Sequence, residues 1–235
     1  MASPRPETVT PRDRPSLAAA TRLSVSGLVE SLHAFLAWNL VLLLAVAAAV
    51  LLLSLSALAI LVVPLLAPLA CGLVRLAVVA ARDEHVALRT ALPGIRHRWM
   101  AKFGVAALQC AVLLLALLNL LLAPSIGGLL AAISLAMSVY LIATVLAYAT
   151  ALWPLVCDPR REDAPLSALA RLALVVLFRK PFQLLFLVLA GVLAAIVIRN
   201  LIVPAFFVPS MAVLLMAGYV IPAADEIAPV EAADR

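Results

Sequence analysis

Charged residues are scarce in this 235-residue sequence. Asp, Glu, Lys and Arg together make up 12% of it, whereas 66% of the residues are hydrophobic and the mean hydropathy is +1.19. Soluble domains contain roughly 25% charged and about 45–50% apolar residues. The shortage of charge therefore excludes a soluble globular domain, a disordered chain and a nucleic-acid-binding protein that works through a broad basic surface. The composition predicts an all-α, polytopic transmembrane helical bundle.

Carboxylates are absent from long stretches of the chain. No Asp or Glu occurs between Glu30 and Asp83, between Glu84 and Asp158, or between Asp163 and Asp225. Ion-coupled carriers usually place ionisable groups near the middle of the membrane. These gaps argue strongly against a carboxylate proton relay or an ion pump.

Cysteines and catalytic motifs are equally few. Cys71, Cys110 and Cys157 lack C-x-x-C spacing and are too few for a disulfide framework. The sequence has no phosphate-binding G-x-x-x-x-G-K-[ST], no G-x-S-x-G and no H-E-x-x-H motif. We therefore expect a non-catalytic protein with no metal site and no cofactor.

Long hydrophobic runs predict about six membrane spans, because each crossing needs about 20 residues. The spans are predicted at about 34–54, 60–80, 103–123, 129–155, 182–198 and 201–221. A five-span alternative makes 201–221 a re-entrant hairpin. All spans belong to a single transmembrane domain over 16–222.

The regions outside the spans are polar or amphipathic. Residues 1–15 are predicted to be a disordered cytoplasmic tail and 223–235 an acidic C-terminal tail. The segments 16–33 and 164–180 show helical apolar spacing between polar residues, which is typical of helices lying along the membrane interface.

Basic residues occur in alternate loops. Residues 82–102 and 160–180 contain five each, whereas the turns at 54–60 and 124–128 contain none. Basic loops are retained on the cytoplasmic side. We therefore expect a protein of the bacterial cytoplasmic (inner) membrane with its N-terminus in the cytoplasm.

One predicted span carries a stripe of polar side chains. Ser134, Ser138, Tyr140, Thr144 and Tyr148 fall within an arc of roughly 160° on a helix that turns about 100° per residue. Such a stripe faces either other helices, through hydrogen bonds, or a water-filled cavity. Gln109 and Asn119 on the preceding span are candidates to face it.

Two further polar residues lie within the first two spans. Asn39 is expected to hydrogen-bond to a neighbouring helix. Arg75 is expected to snorkel to the cytoplasmic headgroups. The alternative for Arg75 is that it faces the bundle, where it would be the best partner for an anion or a carboxylate.

The basic loops are candidate docking surfaces. Anionic lipid of the bilayer, a transporter or a cytoplasmic protein is the expected partner, and nucleic acid is not expected. The candidate docking residues are Arg82, Arg96, Arg98, Lys102, Arg160, Arg161, Arg179 and Lys180.

Several short features follow a recognisable order. Trp38-Asn39-Leu40 opens the first span, Pro64 begins the second, Trp99, Lys102 and Phe103 precede the third, and Trp153-Pro154-Leu155 ends the fourth. In this order the chain resembles the YesL-like family of bacterial integral membrane proteins, whose molecular function is unassigned. The resemblance implies a five- or six-span protein often linked to carbohydrate uptake or use, with no catalytic residue to carry over.

The expected function is that of an accessory or permease-like component linked to solute transport, with carbohydrate as the solute class. The alternative is a membrane scaffold or regulator that acts through the basic cytoplasmic loops. A conduit predicts a polar cavity lined by Arg75, Ser138, Thr144 and Tyr148, whereas a scaffold predicts a sealed apolar bundle.

Overall fold

The computed structural model describes residues 20–21, 29, 31–56, 62–82, 86–200 and 207–229. Within these ranges the chain forms eight α-helices and no strand, which confirms the predicted all-α bundle. The helices are α1 (Leu32–Leu55), α2 (Leu66–Ala81), α3 (Ala91–Arg96), α4 (Trp99–Ile126), α5 (Gly128–Cys157), α6 (Leu166–Arg179), α7 (Pro181–Asn200) and α8 (Val208–Ile227).

The long helices account for the predicted spans. Within the described residues, five segments are long and apolar enough to cross a membrane: Leu32–Leu55, Val62–Ala81, Trp99–Ser125, Gly128–Cys157 and Val208–Ile227. The bent pair formed by α6 and α7 brings the number to six if it counts as one span. The protein is therefore a membrane protein by the length and composition of its helices.

The last predicted span, 201–221, is described from residue 207 onward. Residues 208–221 are uninterrupted helix, whereas 201–206 lie outside the described residues. The helix also continues past Pro222 to Ile227, so the predicted acidic tail begins inside α8. Proline is tolerated in a membrane helix because neighbouring groups satisfy the freed carbonyls.

The predicted terminal segments are only partly described. The tail at 1–15 lies outside the described residues, as do 230–235. Of the amphipathic segment at 16–33, Ala20 is fully buried and lies against Gly218 of α8. At this point the segment contacts the bundle rather than lipid.

The tight turn between α4 and α5 depends on glycine. Gly127 and Gly128 have φ angles of +71° and +65°, which residues with a Cβ atom rarely adopt. Because α4 continues through Pro124 to Ile126, only Gly127 separates the two helices. They form an antiparallel hairpin.

Helix α2 is the core of the bundle. Every residue from Cys71 to Ala80 is buried, and α2 packs against α1, α3, α5 and α8. By contrast, only 11% of the most apolar 18-residue stretch of α4 is buried, and the value for α5 is the same. Their exposed leucines suit contact with lipid tails, which are as apolar as leucine itself.

Candidate functional site at the charged end of the bundle

Four charged side chains from three separate parts of the chain meet in one cluster, the charge quartet: Arg82, Asp158, Arg161 and Asp225. Arg82 donates to Asp158 (Nη2–Oδ2 2.5 Å, Nε–Oδ1 3.2 Å) and to Asp225 (Nη1–Oδ2 3.0 Å). Arg161 Nη2 donates to Asp225 Oδ1 at 2.7 Å. The ends of α2, α5 and α8 therefore lie together, at what we call the charged end of the bundle.

The charge quartet is largely buried, and removing charges from water costs free energy unless they are paired. Asp158 is 0% exposed, and the side chains of Arg82 and Arg161 are 6% and 9% exposed. Burial by itself lowers the pKa of the Arg82 guanidinium, but the hydrogen bonds and negative charges of Asp158 and Asp225 outweigh it and raise that pKa above its ordinary value. Each charge is thus maintained by its partners, and removing one carboxylate leaves a buried cation uncompensated.

Local sequence explains how Asp158 reaches this position. It follows α5 directly and precedes Pro159, which begins a short 3-10 turn at Pro159–Arg161. The Asp158 carboxylate also accepts a hydrogen bond from the backbone amide of Arg160 at 3.1 Å. An Asp-Pro pair is typical of such a turn, because the side chain caps the turn while proline needs no amide partner.

A second group of contacts anchors the loop after α5. Arg75 Nη1 forms an ion pair with Glu162 Oε1, and the His97 ring nitrogen Nε2 lies 3.2 Å from the Glu162 carbonyl oxygen. Arg98 Nη1 donates to the Ala164 carbonyl at 2.5 Å. The loop is therefore attached both to α2 and to the junction of α3 with α4.

Arg75 therefore faces the bundle, with only 8% of the residue exposed. Its partner is the carboxylate of Glu162, as the alternative for Arg75 requires, and whether it also approaches the headgroups stays a prediction. The pairing has a geometric reason, because the loop after α5 folds back over α2 and brings this acid within reach.

Lys102 and two cysteines lie beneath these contacts. Lys102 is 2% exposed, and its Nζ donates to the Gly94 carbonyl at 2.6 Å. Cys71 and Cys157 are free cysteines, and both are buried. In the described part of the chain, no three or more His, Cys, Asp or Glu residues are grouped so as to hold a metal ion.

The predicted docking residues separate into two classes. Arg82, Lys102 and Arg161 are occupied by internal contacts, so they offer no docking surface in this structure. Five lie at the surface, whether or not they also make internal contacts as Arg98 does: Arg96, Arg98, Arg160 and Arg179 are exposed, and Lys180 is half-buried. Sequence reasoning treated all eight alike, because it counted charge by loop and did not pair the loops with one another.

The predicted polar stripe is divided among separate contacts. Asn119 Nδ2 donates to Ser138 Oγ at 2.7 Å, Ser134 Oγ donates to Asn119 Oδ1 at 3.0 Å, and Ser138 Oγ donates to the Ser134 carbonyl at 2.9 Å. Asn119 thus faces the stripe as predicted, while Gln109 instead accepts a hydrogen bond from Trp153 Nε1 at 3.1 Å. These contacts join α4 to α5.

The rest of the stripe does not line a common space. Thr144 Oγ1 donates to the carbonyl of Tyr140 at 2.8 Å, a bond within its own helix. Tyr140 is 70% exposed on the outer surface, and Tyr148 OH lies 3.5 Å from the Ala170 carbonyl of α6. A shared arc on a helical wheel is not a shared cavity, since hydroxyls in membrane helices bond readily to the backbone one turn earlier.

Asn39 behaves as expected for a residue that joins helices. Its Nδ2 donates to Ser210 Oγ of α8 at 2.7 Å, and both residues are buried. The neighbouring Trp38 Nε1 donates to the Leu69 carbonyl of α2 at 3.0 Å. The start of α1 is thereby attached to two other helices.

Two sizeable cavities are lined mainly by apolar side chains. One, of about 430 Å³, has Leu42, Pro64, Val74, Gln109 and Trp153 among its lining residues. The other, of about 370 Å³, lies between α5, α7 and α8. None of the five stripe residues lines either cavity.

Sequence reasoning missed the acidic members of the site. Asp158 and Glu162 lie outside the predicted spans, and Asp225 lies in the predicted acidic tail, so none of the three is a candidate site residue by sequence. A usable signal was present, since each acid lies within the last turn of a predicted span or shortly after it, where basic residues also collect. Acids at such positions are candidates for pairing with arginines from other helix ends.

Comparison with protein-family models, with curated proteins and with solved structures finds no match for this chain, so the resemblance to the YesL-like family stays a prediction.

Proposed function

We propose that this chain is a non-catalytic membrane scaffold or regulator that acts through the exposed basic residues at its charged end. On this proposal the charged end lies in the cytoplasm of a bacterium, and the charge quartet keeps α2, α5 and α8 in a fixed arrangement. Arg96 and Arg98 then form a stable exposed surface for a membrane or protein partner.

The distribution of polar side chains is the observation that carries this proposal. A conduit for a polar solute needs a continuous polar path, and the stripe residues were its candidates. Instead, Ser134 and Ser138 are hydrogen-bonded to Asn119, Thr144 is bonded to its own helix, and the two cavities described above are lined mainly by apolar groups. These contacts favour the sealed bundle of a scaffold over a permease-like component of carbohydrate transport.

Aqueous accessibility tests the proposal directly. Single cysteines replace Ser138, Thr144 and Tyr148 in a background where Cys71, Cys110 and Cys157 are alanine, and intact membranes are treated with a membrane-impermeant maleimide. We expect no labelling at the three test positions, because their hydroxyl groups are bonded within the protein and none of them lines either cavity.

Control positions show that the maleimide reaches exposed cysteines, so that an absence of labelling at the test positions can be interpreted. Cysteines at Arg96 and Pro165, which are exposed at the charged end, should be labelled from the side that carries that end. Size-exclusion chromatography should show that each variant remains monodisperse. Labelling of all three test positions would establish a water-filled path and overturn the scaffold proposal.

A further inference from the structure

Helices α6 and α7 form a sharp elbow. Their axes differ by 99°, with Lys180 at the break. If α7 crosses the membrane, α6 lies along the membrane surface. One face of α6 packs on the bundle through four buried side chains: Leu169, Leu172, Ala173 and Val176.

The opposite face of the elbow is both apolar and basic. Phe178 and Phe182 are 79% and 81% exposed, and Leu174 and Val175 are also exposed. Arg171 lies on the same face as Val175 and Phe178, because residues four and seven positions apart project from one side of a helix. Large exposed aromatic groups beside arginines are typical of a helix that sits at the boundary of headgroups and acyl chains.

The positive charges of the elbow have no internal counterpart. Between Ala164 and Pro181 the sequence contains no Asp or Glu. Within the described residues, neither Arg171 nor Arg179 forms an ion pair, in contrast to Arg82 and Arg161, which share two carboxylates. These two arginines are therefore available to an external anion.

We propose that the elbow, residues 171–182, is a binding site for anionic phospholipid. Phe178 and Phe182 insert among the acyl chains, while Arg171, Arg179 and Lys180 bind the phosphate and other anionic groups of the headgroup. Charge complementarity selects anionic over zwitterionic lipid, and the exposed phenylalanines require a partner with an apolar part. The proposal rests on the proposed function and adds the elbow as a further basic surface, with lipid as its partner.

Lipid binding by the purified full-length protein tests this proposal. The protein in a mild detergent is titrated with phosphatidylglycerol or with phosphatidylcholine of the same acyl chains, and bound lipid is counted by native mass spectrometry. We expect tighter binding of phosphatidylglycerol. In the double variant Arg171→Gln/Arg179→Gln that affinity should fall about tenfold or more, whereas phosphatidylcholine binding should be unchanged.

Two matched variants separate the elbow from general charge. Arg89→Gln removes one charge from an exposed position of the other basic loop, outside the surface formed by Arg96 and Arg98, and should change phosphatidylglycerol affinity less than twofold, whereas Arg171→Gln alone should lower it about fivefold. Arg171→Lys/Arg179→Lys keeps the charge and should retain most of the binding. Retained binding there excludes damage to α6 as the cause of a loss in the glutamine variant.

Three results of the lipid titration would contradict the proposed binding site. Equal affinity for the two lipids, an unchanged affinity in Arg171→Gln/Arg179→Gln, or a loss in Arg89→Gln as large as that in Arg171→Gln would each overturn the proposal. The lipid titration is independent of the cysteine labelling on α5. Even if labelling revealed a water-filled path through the bundle, the lipid affinities of the elbow variants could still be measured and compared.

Discussion

Arginine and aspartate at the charged end act mainly on each other. Asp158 is fully buried, and it accepts hydrogen bonds from Arg82 while Arg161 Nε lies 3.5 Å from its Oδ2. The planar guanidinium group suits this role, because it can donate to two carboxylates at once in a fixed geometry. A basic residue next to a membrane span is thus a docking candidate only where no internal acid reaches it.

The first residue-level prediction concerns Asp158→Asn. The variant keeps the shape of the side chain but leaves Arg82 and Arg161 with one carboxylate in place of two. We expect a loss of about 3–5 kcal/mol in the free energy of unfolding, the range for removing one partner of a buried ion pair. Thermal unfolding of the detergent-solubilised protein measures it.

Two other acids provide the comparison for Asp158→Asn. Asp163→Asn, at an exposed position of the same loop, should leave the midpoint unchanged. Asp225→Asn should cost less than Asp158→Asn, since Asp225 is 32% exposed and Asp158 still serves both arginines. Equal midpoint temperatures of thermal unfolding for all three variants would show that the charge quartet contributes nothing to stability.

A glycine sets the distance between α1 and α2. A Cβ atom at position 72 would lie 2.3 Å from Cζ2 of Trp38, whose indole is also hydrogen-bonded to the Leu69 carbonyl. Gly72→Ala therefore forces the indole out of its place, and we expect a loss of about 1–3 kcal/mol, as for other overpacked cores. Chemical or thermal unfolding in detergent measures the change.

Gly104→Ala is the matched control for Gly72→Ala. It makes the same substitution on α4, where nothing lies within 4 Å of the added methyl group. It should be neutral or slightly stabilising, because alanine has the higher helix propensity. A loss of stability as large as that of Gly72→Ala would mean that the contact with Trp38 is not the cause.

The amide of Asn119 bonds to two serines across the α4–α5 hairpin. Asn119→Leu removes the hydrogen bonds to Ser134 and Ser138, and interhelical bonds of this kind contribute roughly 0.6–2 kcal/mol in membranes. We expect a fall of that size in stability and no new labelling at position 138 by an aqueous maleimide. Labelling there would show that the amide had been sealing a water-accessible space.

For the helices, the hydropathy of the sequence predicts where along the chain each helix lies better than it predicts the residues at which the helix begins and ends. The second span was predicted at about 60–80, and the apolar segment is Val62–Ala81. Helix α8 runs beyond its predicted end to Ile227, and in this extension Asp225, a residue of the predicted acidic tail, bonds to two arginines. A helix end depends on the partners of its last side chains, which a single hydropathy profile does not contain.

The whole molecule makes a prediction about topology. Arg82, Asp158 and Asp225 are in contact, so the loop after α2, the loop after α5 and the end of α8 lie at the same end of the bundle. Cysteines placed at Arg96, Pro165 and Pro229 should therefore all be labelled by an impermeant maleimide from one side of the membrane. Sealed vesicles of the two opposite orientations distinguish that side.

A split result would change the number of crossings. If Pro165 and Pro229 were labelled from opposite sides, the stretch between them would cross an odd number of times, which is the five-span alternative. If both were labelled from the cytoplasmic side, six crossings and a cytoplasmic C-terminus would follow.

The sequence by itself determined that this is an all-α membrane protein and placed its hydrophobic helices within a few residues, because crossing length and apolar composition are local properties of the chain. Only the tertiary structure decided what the polar residues do. Arg75 meets Glu162, Arg82 meets Asp225, and the stripe on α5 is divided among internal hydrogen bonds. A buried charge or hydroxyl is stable only beside a partner, and partners distant in the chain become neighbours only when the helices pack.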